Sequence, residues 1–366
     1  MEPWSTVSPI LDPTGKRVAI VSGSYGAGHD AAAAALAQHL AEAGATSTTY
    51  DVAELLPLGL GQLLKHAYYA QLRRVPSTWG RTLSYVEPGR ALHRAAVGVL
   101  GLGDERVVRC VAGADLVVAT HPFAAQALGS ARARGILSVP VVTYLTDASV
   151  HALWVHPQVD LHLAIHDLAA EQARTWGGRA VTVRPVVRRG RLDVGDPLAA
   201  YETYGPRALV TGGSLGLGEL EACARDLAAT GLVTPVVACG SNQALVQRLS
   251  RVPGVVAFGW RDDLPDVIAA CDCVVQNAGG FTSLEALAAG TPVVTYRPIP
   301  GHGMTNAANL ERAGLAPWPR TPEELSRVLR DVLAADRRDR IPHEAPTVVE
   351  ALAGGRLRLP EPIEAA

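Results

Sequence analysis

Short apolar runs alternate with helix-like stretches along most of this chain. Residues 17–21, 116–119 and 139–145 are largely apolar on both faces, as expected for parallel strands covered on both sides. Each run ends at glycine or polar residues, and a stretch with helical spacing follows. The second half repeats the pattern, with predicted strands at residues 207–211, 235–239, 255–258, 274–275 and 293–296. This alternation predicts an α/β protein.

Two series of strands and helices are separated by residues 188–206, which are rich in glycine, proline and charge. We therefore predict one domain over residues 1–190 and a second over residues 191–366. The chain has 366 residues, which is enough for two domains of ordinary size. Open α/β sheets bind ligands at the carboxyl ends of their strands, so glycine turns in both domains predict a cleft between them.

Three glycine-rich turns follow predicted strands and precede predicted helices, at residues 22–29, 212–218 and 277–280. Such a turn suits an anion, because free backbone N–H groups and the positive end of the helix dipole face one point. The first turn has the order G-x-x-G-x-G-H, which departs from the dinucleotide fingerprint G-x-G-x-x-G. Asp51, after the next strand, could imitate the ribose-binding acid of a dinucleotide site, so that alternative stays open.

The third turn carries the clearest ligand signal. Thr282 or Ser283 is a candidate N-cap for the helix that follows. Glu285 lies one turn into that helix, where its carboxylate could accept hydrogen bonds from sugar hydroxyls. The next strand runs into residues 297–303, a stiff loop with two prolines and two glycines. An anion site beside a hydroxyl-binding carboxylate predicts a nucleotide ligand.

Composition excludes several functional classes. The formal net charge is −2, which gives no support for a nucleic-acid binder. The five cysteines form no C-x-x-C pair, and no histidines are spaced around them as in a zinc site, so we expect free thiols in a reducing cytosol. The first residues lack the basic and apolar regions of a secretory signal. No apolar run approaches transmembrane length, so any membrane contact is expected to be peripheral.

Several histidines lie where predicted strands end. His29 closes the first glycine turn, where the helix dipole disfavours a protonated ring and a neutral imidazole can act as a general base. A capping or packing role for His29 is the alternative. His121, Asp147 and His151 also follow strands, but they lack H-x-x-x-H or H-E-x-x-H spacing, which argues against a metal.

Residues 55–94 combine basic, aromatic and aliphatic side chains. Lys65, Tyr68, Tyr69 and Trp79 belong to this group, and prolines divide the segment into short pieces. Such a composition suits helices that lie in a membrane interface. An amphipathic cap packed on the first domain explains it equally well.

Four stretches resemble one glycosyltransferase family. NAGGFTSLEALAAGTPVVTYRPIPGHG at residues 277–303 is the longest, and GAGH at 26–29, THPF at 120–123 and residues 144–164 agree with it. The family groups peptidoglycan N-acetylglucosaminyltransferase with monogalactosyldiacylglycerol synthases and processive diacylglycerol glucosyltransferases.

The resemblance implies the GT-B fold, in which two Rossmann-like, doubly wound α/β domains face a central cleft. It implies an inverting enzyme that transfers a hexose from a UDP-sugar, or another nucleotide diphosphate sugar, to the hydroxyl of a lipid such as diacylglycerol. The nucleotide sugar would be a co-substrate, with no further cofactor and no metal. The protein would act in the cytoplasm, bound peripherally to the inner face of the membrane, without a nucleic-acid partner.

The resemblance also assigns roles to residues of this chain. His29 would be the base and Asp147 its support. The acceptor-binding residues would be Gly28, His121, His151 and Trp154. The donor-binding residues would be Gly213, Ser214, Trp260, Arg261, Asn277, Gly279, Gly280, Phe281, Thr282, Glu285, His302 and Asn306.

One position departs from the family pattern. Relatives often place Gln, or Gln-Glu, after the R-P loop to contact the sugar, whereas this chain has His302, with Asn306 beyond it. Asp262 and Asp263 form no D-x-D metal motif, and we expect them to cap the next helix. Three alternatives to a lipid glycosyltransferase stay open: a glycosyltransferase with a soluble or natural-product acceptor, a nucleotide-sugar epimerase, and a non-catalytic nucleotide-sugar binder.

Overall fold

A computed structural model of the chain describes residues 4–7, 9–74, 98, 101, 103–188, 190, 195–335 and 345–358. These residues divide into two compact units. Unit 1 contains the described residues up to Val186 together with 345–358, and unit 2 contains those from Val187 to 335.

Unit 1 is built on a six-stranded parallel sheet with the strand order β3-β2-β4-β5-β6-β7. Its strands are β2 (Arg17–Ser22), β3 (Thr46–Asp51), β4 (Leu116–Ala119), β5 (Val141–Tyr144), β6 (Leu161–Ala164) and β7 (Ala180–Thr182). The helices between them are α1 (Ala27–Glu42), α2 (Val52–Leu55), α3 (Leu60–Arg74), α4 (Asp104–Cys110), α5 (Pro122–Ala133) and α6 (Asp167–Thr175), with short 3-10 helices at Pro57–Gly59 and Ala152–Trp154.

Helices cover the apolar faces of the central strands in unit 1. Strands β4, β5 and β6 are buried along their whole length, as the two-sided apolar runs predict. Alanines of α5 pack closely on this sheet, since most of that helix is buried. Burial of apolar surface at ~25 cal/mol per Å² is the main force that holds these layers together.

The end of the described chain packs on unit 1. Strand β13 (Gly355–Arg358) pairs antiparallel with β1 (Trp4–Val7), and helix α13 (Val348–Ala353) precedes it. The carbonyl of Leu352 accepts hydrogen bonds from the backbone N–H groups of Ile10 and Leu11. The sequence placed this segment in the second domain, whereas the structure assigns it to the first. The division at 186/187 lies four residues before the predicted boundary.

Unit 2 has a five-stranded parallel sheet with the strand order β10-β9-β8-β11-β12. The strands are β8 (Arg207–Thr211), β9 (Thr234–Ala238), β10 (Val256–Phe258), β11 (Cys273–Gln276) and β12 (Val293–Thr295). The helices are α7 (Leu220–Ala229), α8 (Gln243–Leu249), α9 (Leu264–Ala269), α10 (Phe281–Ala288), α11 (His302–Arg312) and α12 (Pro322–Ala334).

Two predicted helix caps are wrong. Helix α10 begins after Gly280 in an extended conformation, with no side-chain cap, so Thr282 and Ser283 lie inside its first turn. Asp263 precedes α9 without a capping hydrogen bond. Its carboxylate binds the guanidinium of Arg261 instead, 2.7 Å from Nε.

Both sheets contain a point where the chain reverses its direction of winding. In unit 1 it lies between β2 and β4, and in unit 2 between β8 and β11. In each sheet the chain first adds strands on one side of β2 or β8 and then crosses to add the remaining strands on the other side. Ligands of doubly wound sheets bind outside the carboxyl ends of strands at such points. Among the described residues, no helix is long and apolar enough to cross a membrane.

Candidate active site

The residues that follow β2, β4 and β5 form a cluster in unit 1, which we call the histidine site: His29, Thr120, His121, Thr146 and Asp147. Its centre is His29, in the first turn of α1. The Nδ1 atom of His29 lies 3.0 Å from the carbonyl oxygen of Thr120 and 3.0 Å from Thr146 Oγ1. The residues predicted at this edge of the sheet are therefore brought together.

The Thr120 carbonyl fixes the tautomer of His29. A carbonyl oxygen can only accept a hydrogen bond, so Nδ1 of His29 carries the proton of the neutral ring. The other nitrogen, Nε2, then has a free lone pair and is the basic atom. Thr146 was not assigned a role from the sequence, although it stands in the T-D pair that marks the end of β5.

His121 has the opposite tautomer. Its side chain caps α5, with Nδ1 accepting from the backbone N–H of Phe123 at 3.1 Å, so Nε2 carries the proton. Its ring stacks on Tyr25 and meets the edge of His29, with centroids 5.0 and 4.6 Å away. Burial, followed by the charges of His29 and His151, holds the pKa of His121 well below its usual value. A neutral Nε2–H donor is the state that results.

Close packing in the first glycine turn accounts for one of its glycines. A Cβ on Gly23 would lie 2.5 Å from the His121 ring, closer than real Cβ contacts allow. Gly23 thus lets the turn approach the ring that caps α5. Gly28, predicted to bind the acceptor, lies half-buried in the first turn of α1.

Asp147 is held by an aromatic partner. Trp154 Nε1 donates to Asp147 Oδ2 at 3.1 Å, and Trp154 is fully buried. Trp154, which was predicted to bind the acceptor, therefore positions Asp147 and has no exposed surface. His151 is half-buried, with its ring centroid 6.4 Å from that of Trp154. The hydrogen bonds described at His29 Nδ1 are with the Thr120 carbonyl and Thr146 Oγ1, and none of the described hydrogen bonds joins His29 to Asp147.

Helix α3 covers the first glycine turn. Lys65 Nζ donates to Ser24 Oγ at 2.7 Å, and the Tyr69 hydroxyl donates to the Ser24 carbonyl at 3.1 Å. Burial, then the nearby charge of Asp147, raises the pKa of Tyr68. These three side chains face the protein, so the capping alternative is correct for them. The prediction for the rest of the segment up to residue 94, including Trp79, lies outside the described residues.

Asp51, the candidate acid of a dinucleotide site, has a structural role. Its Oδ1 accepts from the backbone N–H groups of Ala53, where it caps α2, and of Ser24 in the glycine turn. This arrangement accounts for an acid at the end of β3 without a dinucleotide.

In unit 2, the turns that follow the carboxyl ends of β8 and β11 contact each other. Asn277 Nδ2 donates to the Leu217 carbonyl at 2.8 Å. Gly218 lies against the same amide, with φ +87° and a hypothetical Cβ only 2.3 Å from Asn277 Nδ2. Gly213 is exposed, and the Ser214 carbonyl accepts from the backbone of Ser241 at 2.8 Å. The second and third glycine turns thus form one surface.

Gln276 shapes the turn that leads into α10. Its Oε1 accepts from the backbone N–H groups of Ala278, at 2.7 Å, and Gly279, and its Nε2 donates to Thr295 Oγ1 at 2.6 Å. Gly279 has φ +69°, which glycine adopts without strain. The first N–H groups of a helix have no partner within it, and Phe281 and Thr282 supply two of them in α10. Gln276 was not predicted as a site residue, because it follows two valines and was counted with the strand.

Glu285 points into the protein and is paired with Arg188. Its side chain is buried, and Oε1 accepts from Arg188 Nε at 2.8 Å. The buried Oε2 has no partner among the described residues. Burial raises the pKa of Glu285, and the Arg188 guanidinium opposes that effect. Arg188 was not predicted, because it lies 97 residues from Glu285 in the sequence.

The loop after β12 ends at His302, the first residue of α11. Asn306, one turn later, is buried, and its Nδ2 donates to the Ala278 carbonyl at 2.7 Å. The same nitrogen lies 3.1 Å from His302 Nε2. The predicted sugar-contacting residues are thus tied to the turn at Gly279.

Trp260 and Arg261 follow β10, as predicted. Trp260 is exposed, and its Nε1 donates to Asp262 at 2.9 Å. Arg261 pairs with Asp263, and its guanidinium lies 5.3 Å from the centroid of the Phe258 ring. The side chain of Arg261 therefore supports this loop. Across the part of the chain that the structure describes, no group of three or more His, Cys, Asp or Glu residues could hold a metal ion.

Fold comparisons place the two units in a known class. The structure is similar to the glycosyltransferase SnogD from Streptomyces nogalater, with a TM-score of 0.60 and 21% identity over 92% of this chain and 98% of that one. It is also similar to MurG from Acinetobacter baumannii, with a TM-score of 0.51 and 19% identity over 88% and 92%. Two parallel α/β units with these neighbours define the GT-B fold, as predicted.

Sequence comparisons point to a narrower group. Residues 29–186 match the family described as monogalactosyldiacylglycerol (MGDG) synthase, and residues 235–346 match the glycosyl transferases group 1. The chain is 29% identical over 217 residues to a processive diacylglycerol beta-glucosyltransferase of Bacillus cereus. That match spans 55% of this chain and 55% of the relative, about half of its length. The resemblance found in the sequence is thereby confirmed: the chain is similar to the family of monogalactosyldiacylglycerol synthases and processive diacylglycerol glucosyltransferases.

Proposed function

We propose that this protein is an inverting glycosyltransferase that transfers a hexose from UDP-sugar, or another nucleotide diphosphate sugar, to the hydroxyl of a lipid such as diacylglycerol. The observation that carries the proposal is the tautomer of His29. Its Nδ1–H is held by the Thr120 carbonyl, so Nε2 is left as a base at the ligand-binding edge of unit 1.

The proposed transfer is a single displacement at the anomeric carbon of the sugar. Nε2 of His29 takes the proton of the acceptor hydroxyl while that oxygen bonds to the anomeric carbon of the sugar. The bond from the anomeric carbon to the diphosphate breaks, and the nucleoside diphosphate leaves. The imidazolium that forms would be stabilised by the hydrogen bonds of Nδ1 to the Thr120 carbonyl and Thr146 Oγ1, and Asp147 is proposed as its support.

The donor is proposed to bind at the turn from Gly279 to Thr282. Backbone N–H groups at the start of α10 would hold the departing diphosphate, and helix dipoles stabilise such charge without a metal ion. We expect activity to persist in a metal chelator for this reason.

A lipid acceptor is supported by the relatives, whose names refer to diacylglycerol. Two large apolar side chains next to the covered turn are also exposed: Leu58 fully, and Leu63 by 65%. The five cysteines are free in the structure, which suits a reducing compartment. We therefore propose peripheral binding at the cytoplasmic face of the membrane.

Transfer is tested with radiolabelled UDP-glucose and UDP-galactose, vesicles with and without diacylglycerol, and parallel reactions in EDTA. Label that enters lipid only with diacylglycerol supports the proposal. Epimerised nucleotide sugar without transfer, transfer to soluble acceptors alone, or tight binding without turnover would contradict it. Loss of transfer in EDTA would contradict only its metal-independent part.

The base is tested with His29→Asn and His29→Ala. The amide nitrogen of asparagine takes the place of Nδ1 and can still donate to the Thr120 carbonyl, but it is not basic, so both variants should lower kcat by about 10²- to 10⁴-fold. The affinity for UDP, measured by calorimetry, should stay near that of the unaltered protein. Unchanged turnover in either variant would remove His29 from the mechanism.

A further inference from the structure

The loop that follows β5 carries Thr146 and Asp147 of the histidine site, and helix α6 holds the backbone of that loop just beyond them. We infer that His166, which precedes α6, is a positioning residue. It anchors the loop and so keeps Thr146 and Asp147 in place in the histidine site. The consequence for sugar transfer rests on the proposed function, whereas the anchoring contact does not.

Two partners give the ring of His166 one tautomer. Its Nδ1 accepts from the backbone N–H of Ala169 at 3.1 Å, which caps α6. An accepting Nδ1 carries no proton, so the proton of the neutral ring is on Nε2, which donates to the carbonyl of Ala148 at 3.0 Å. Burial lowers the pKa of His166 to about 4, so the ring keeps this state at neutral pH. One side chain therefore caps the helix and holds the loop.

Two further side chains on the same side of unit 1 hold this loop. Gln172 Oε1 accepts from the backbone N–H of Val150 at 2.9 Å. Trp176, just after α6, donates from Nε1 to the Val150 carbonyl at 3.1 Å. Ala148 and Val150 are both buried, and a buried backbone polar group needs a partner. The contacts with the loop begin at the residue after Asp147.

The position of the loop matters because Thr146 and Asp147 have short contacts of their own. Thr146 Oγ1 lies 3.0 Å from His29 Nδ1, and Trp154 Nε1 donates to Asp147 at 3.1 Å. A displacement of the loop changes these distances directly, and a misplacement of about 1 Å can lower a rate about 10²-fold. His166 thus acts on the proposed base through the loop and is a positioning residue, not a catalytic one.

Two substitutions separate the anchor from the helix cap. In His166→Gln the amide nitrogen takes the place of Nε2 and can still donate to the Ala148 carbonyl, but the acceptor of the cap is lost. In His166→Asn the amide oxygen takes the place of Nδ1, so the cap is kept and the anchor is lost. Each variant loses one of two hydrogen bonds, so thermal melts should show small and similar losses of stability. Only His166→Asn should release the loop.

Release of the loop is measured without any substrate, by hydrogen exchange at the indole N–H of Trp154. This group is buried and donates to Asp147, so it exchanges when the loop opens. Exchange should be roughly tenfold faster in His166→Asn, the effect of about one lost hydrogen bond, and near that of the unaltered protein in His166→Gln. The spectrum of Trp154→Phe assigns the signal. Equal exchange rates in the two His166 variants would overturn the anchor.

The consequence for catalysis is measured by transfer from UDP-glucose to diacylglycerol. In His166→Asn, kcat should fall about 10- to 100-fold with the KM for UDP-glucose near that of the unaltered protein, and His166→Gln should recover most of kcat. His162→Gln is the matched control. His162 is also buried, but its Nδ1 lies 3.0 Å from the Arg179 carbonyl, so this variant should lose stability with kcat unchanged. Equal kcat in His166→Asn and His166→Gln would overturn the positioning role.

If the unaltered protein transfers no sugar, the proposed function is wrong. Exchange at Trp154 still decides in that case whether His166 anchors the loop.

Discussion

Two rings of the histidine site have different tautomers because their hydrogen-bond partners differ. The Thr120 carbonyl accepts a hydrogen bond from the Nδ1–H of His29, which leaves Nε2 unprotonated. The backbone N–H of Phe123 occupies Nδ1 of His121, so that ring presents an N–H donor at Nε2. A ring with an unprotonated Nε2 and a ring with an N–H group at Nε2 thus lie with their centroids 4.6 Å apart. Neither state depends on a neighbouring carboxylate, and each follows from one backbone group.

Gly279 and Gly280 make a matched pair for testing the donor turn. Gly279→Ala would place a side chain at φ +69° and only 2.6 Å from Asn306 Cβ, so we expect a loss of about 1–3 kcal/mol in unfolding free energy. Gly280 has φ −88° and open space beside it, so Gly280→Ala should keep the stability of the unaltered protein. Thermal and urea denaturation measure both.

The same pair tests where the ligand lies. A methyl group in the open space at Gly280 should weaken UDP binding without unfolding the chain, if the diphosphate occupies that space. UDP affinity equal to that of the unaltered protein would place the diphosphate elsewhere.

At the scale of elements, strand β6 and helix α6 contain two buried histidines that make the fold sensitive to acid. His162 lies on β6 and His166 caps α6. Burial lowers the pKa of each to about 4, from the usual 6.5. The unfolded chain therefore takes up protons first as pH falls, while the folded chain resists until about pH 4.

We expect stability to be full above pH 6.5, the usual histidine pKa, and to be lost as pH falls toward 4. The loss should be roughly 2 kcal/mol per histidine between about pH 7 and about pH 5. Urea titrations across this range measure it, and His162→Gln should reduce the slope, with the exposed His66→Gln as a control. A slope that is the same in His162→Gln would show that this ring does not contribute.

Elements that depend on local sequence were predictable, and contacts between distant residues were not. The strands before each glycine turn follow from two-sided apolar runs, so the switch points of both sheets were within reach. The contact from His29 to Thr146 joins residues 117 positions apart, and Arg188 meets Glu285 across 97. No local pattern encodes such pairs. The caps of α9 and α10 failed for a related reason, since Asp263 binds Arg261 and a glycine precedes α10.

At the scale of the whole chain, the two units repeat one plan. Each has a parallel sheet in which strands are added on both sides of the first strand, β2 or β8. In each unit a glycine-rich turn follows that strand. Unit 1 adds a feature that the sequence did not predict, because the segment after residue 345 returns to it. Helix α13 buries Val348 and Leu352, and Arg184 donates to the Ala345 carbonyl at 2.8 Å. Chain order alone assigned this segment to the nearer domain.

Attachment to a membrane is the property of the whole molecule that the proposed function requires. Leu58 and Leu63 are exposed on the elements that cover the first glycine turn. Burial of one leucine contributes about 1.5–3 kcal/mol, so Leu58→Asp and Leu63→Asp should each lower vesicle binding roughly tenfold or more. Sedimentation with vesicles of phosphatidylglycerol and diacylglycerol measures this effect.

Ile136→Asp is the matched control. Ile136 is 40% exposed, but it lies between α5 and β5, at the amino ends of the strands, whereas the two leucines follow the carboxyl end of β3. Transfer to a short-chain diacylglycerol in solution should be unchanged in all three variants, since the leucines lie outside the histidine site. Equal vesicle binding by all three would show that this surface does not attach the protein. Loss of transfer to the soluble acceptor as well would instead make the leucines part of the acceptor site.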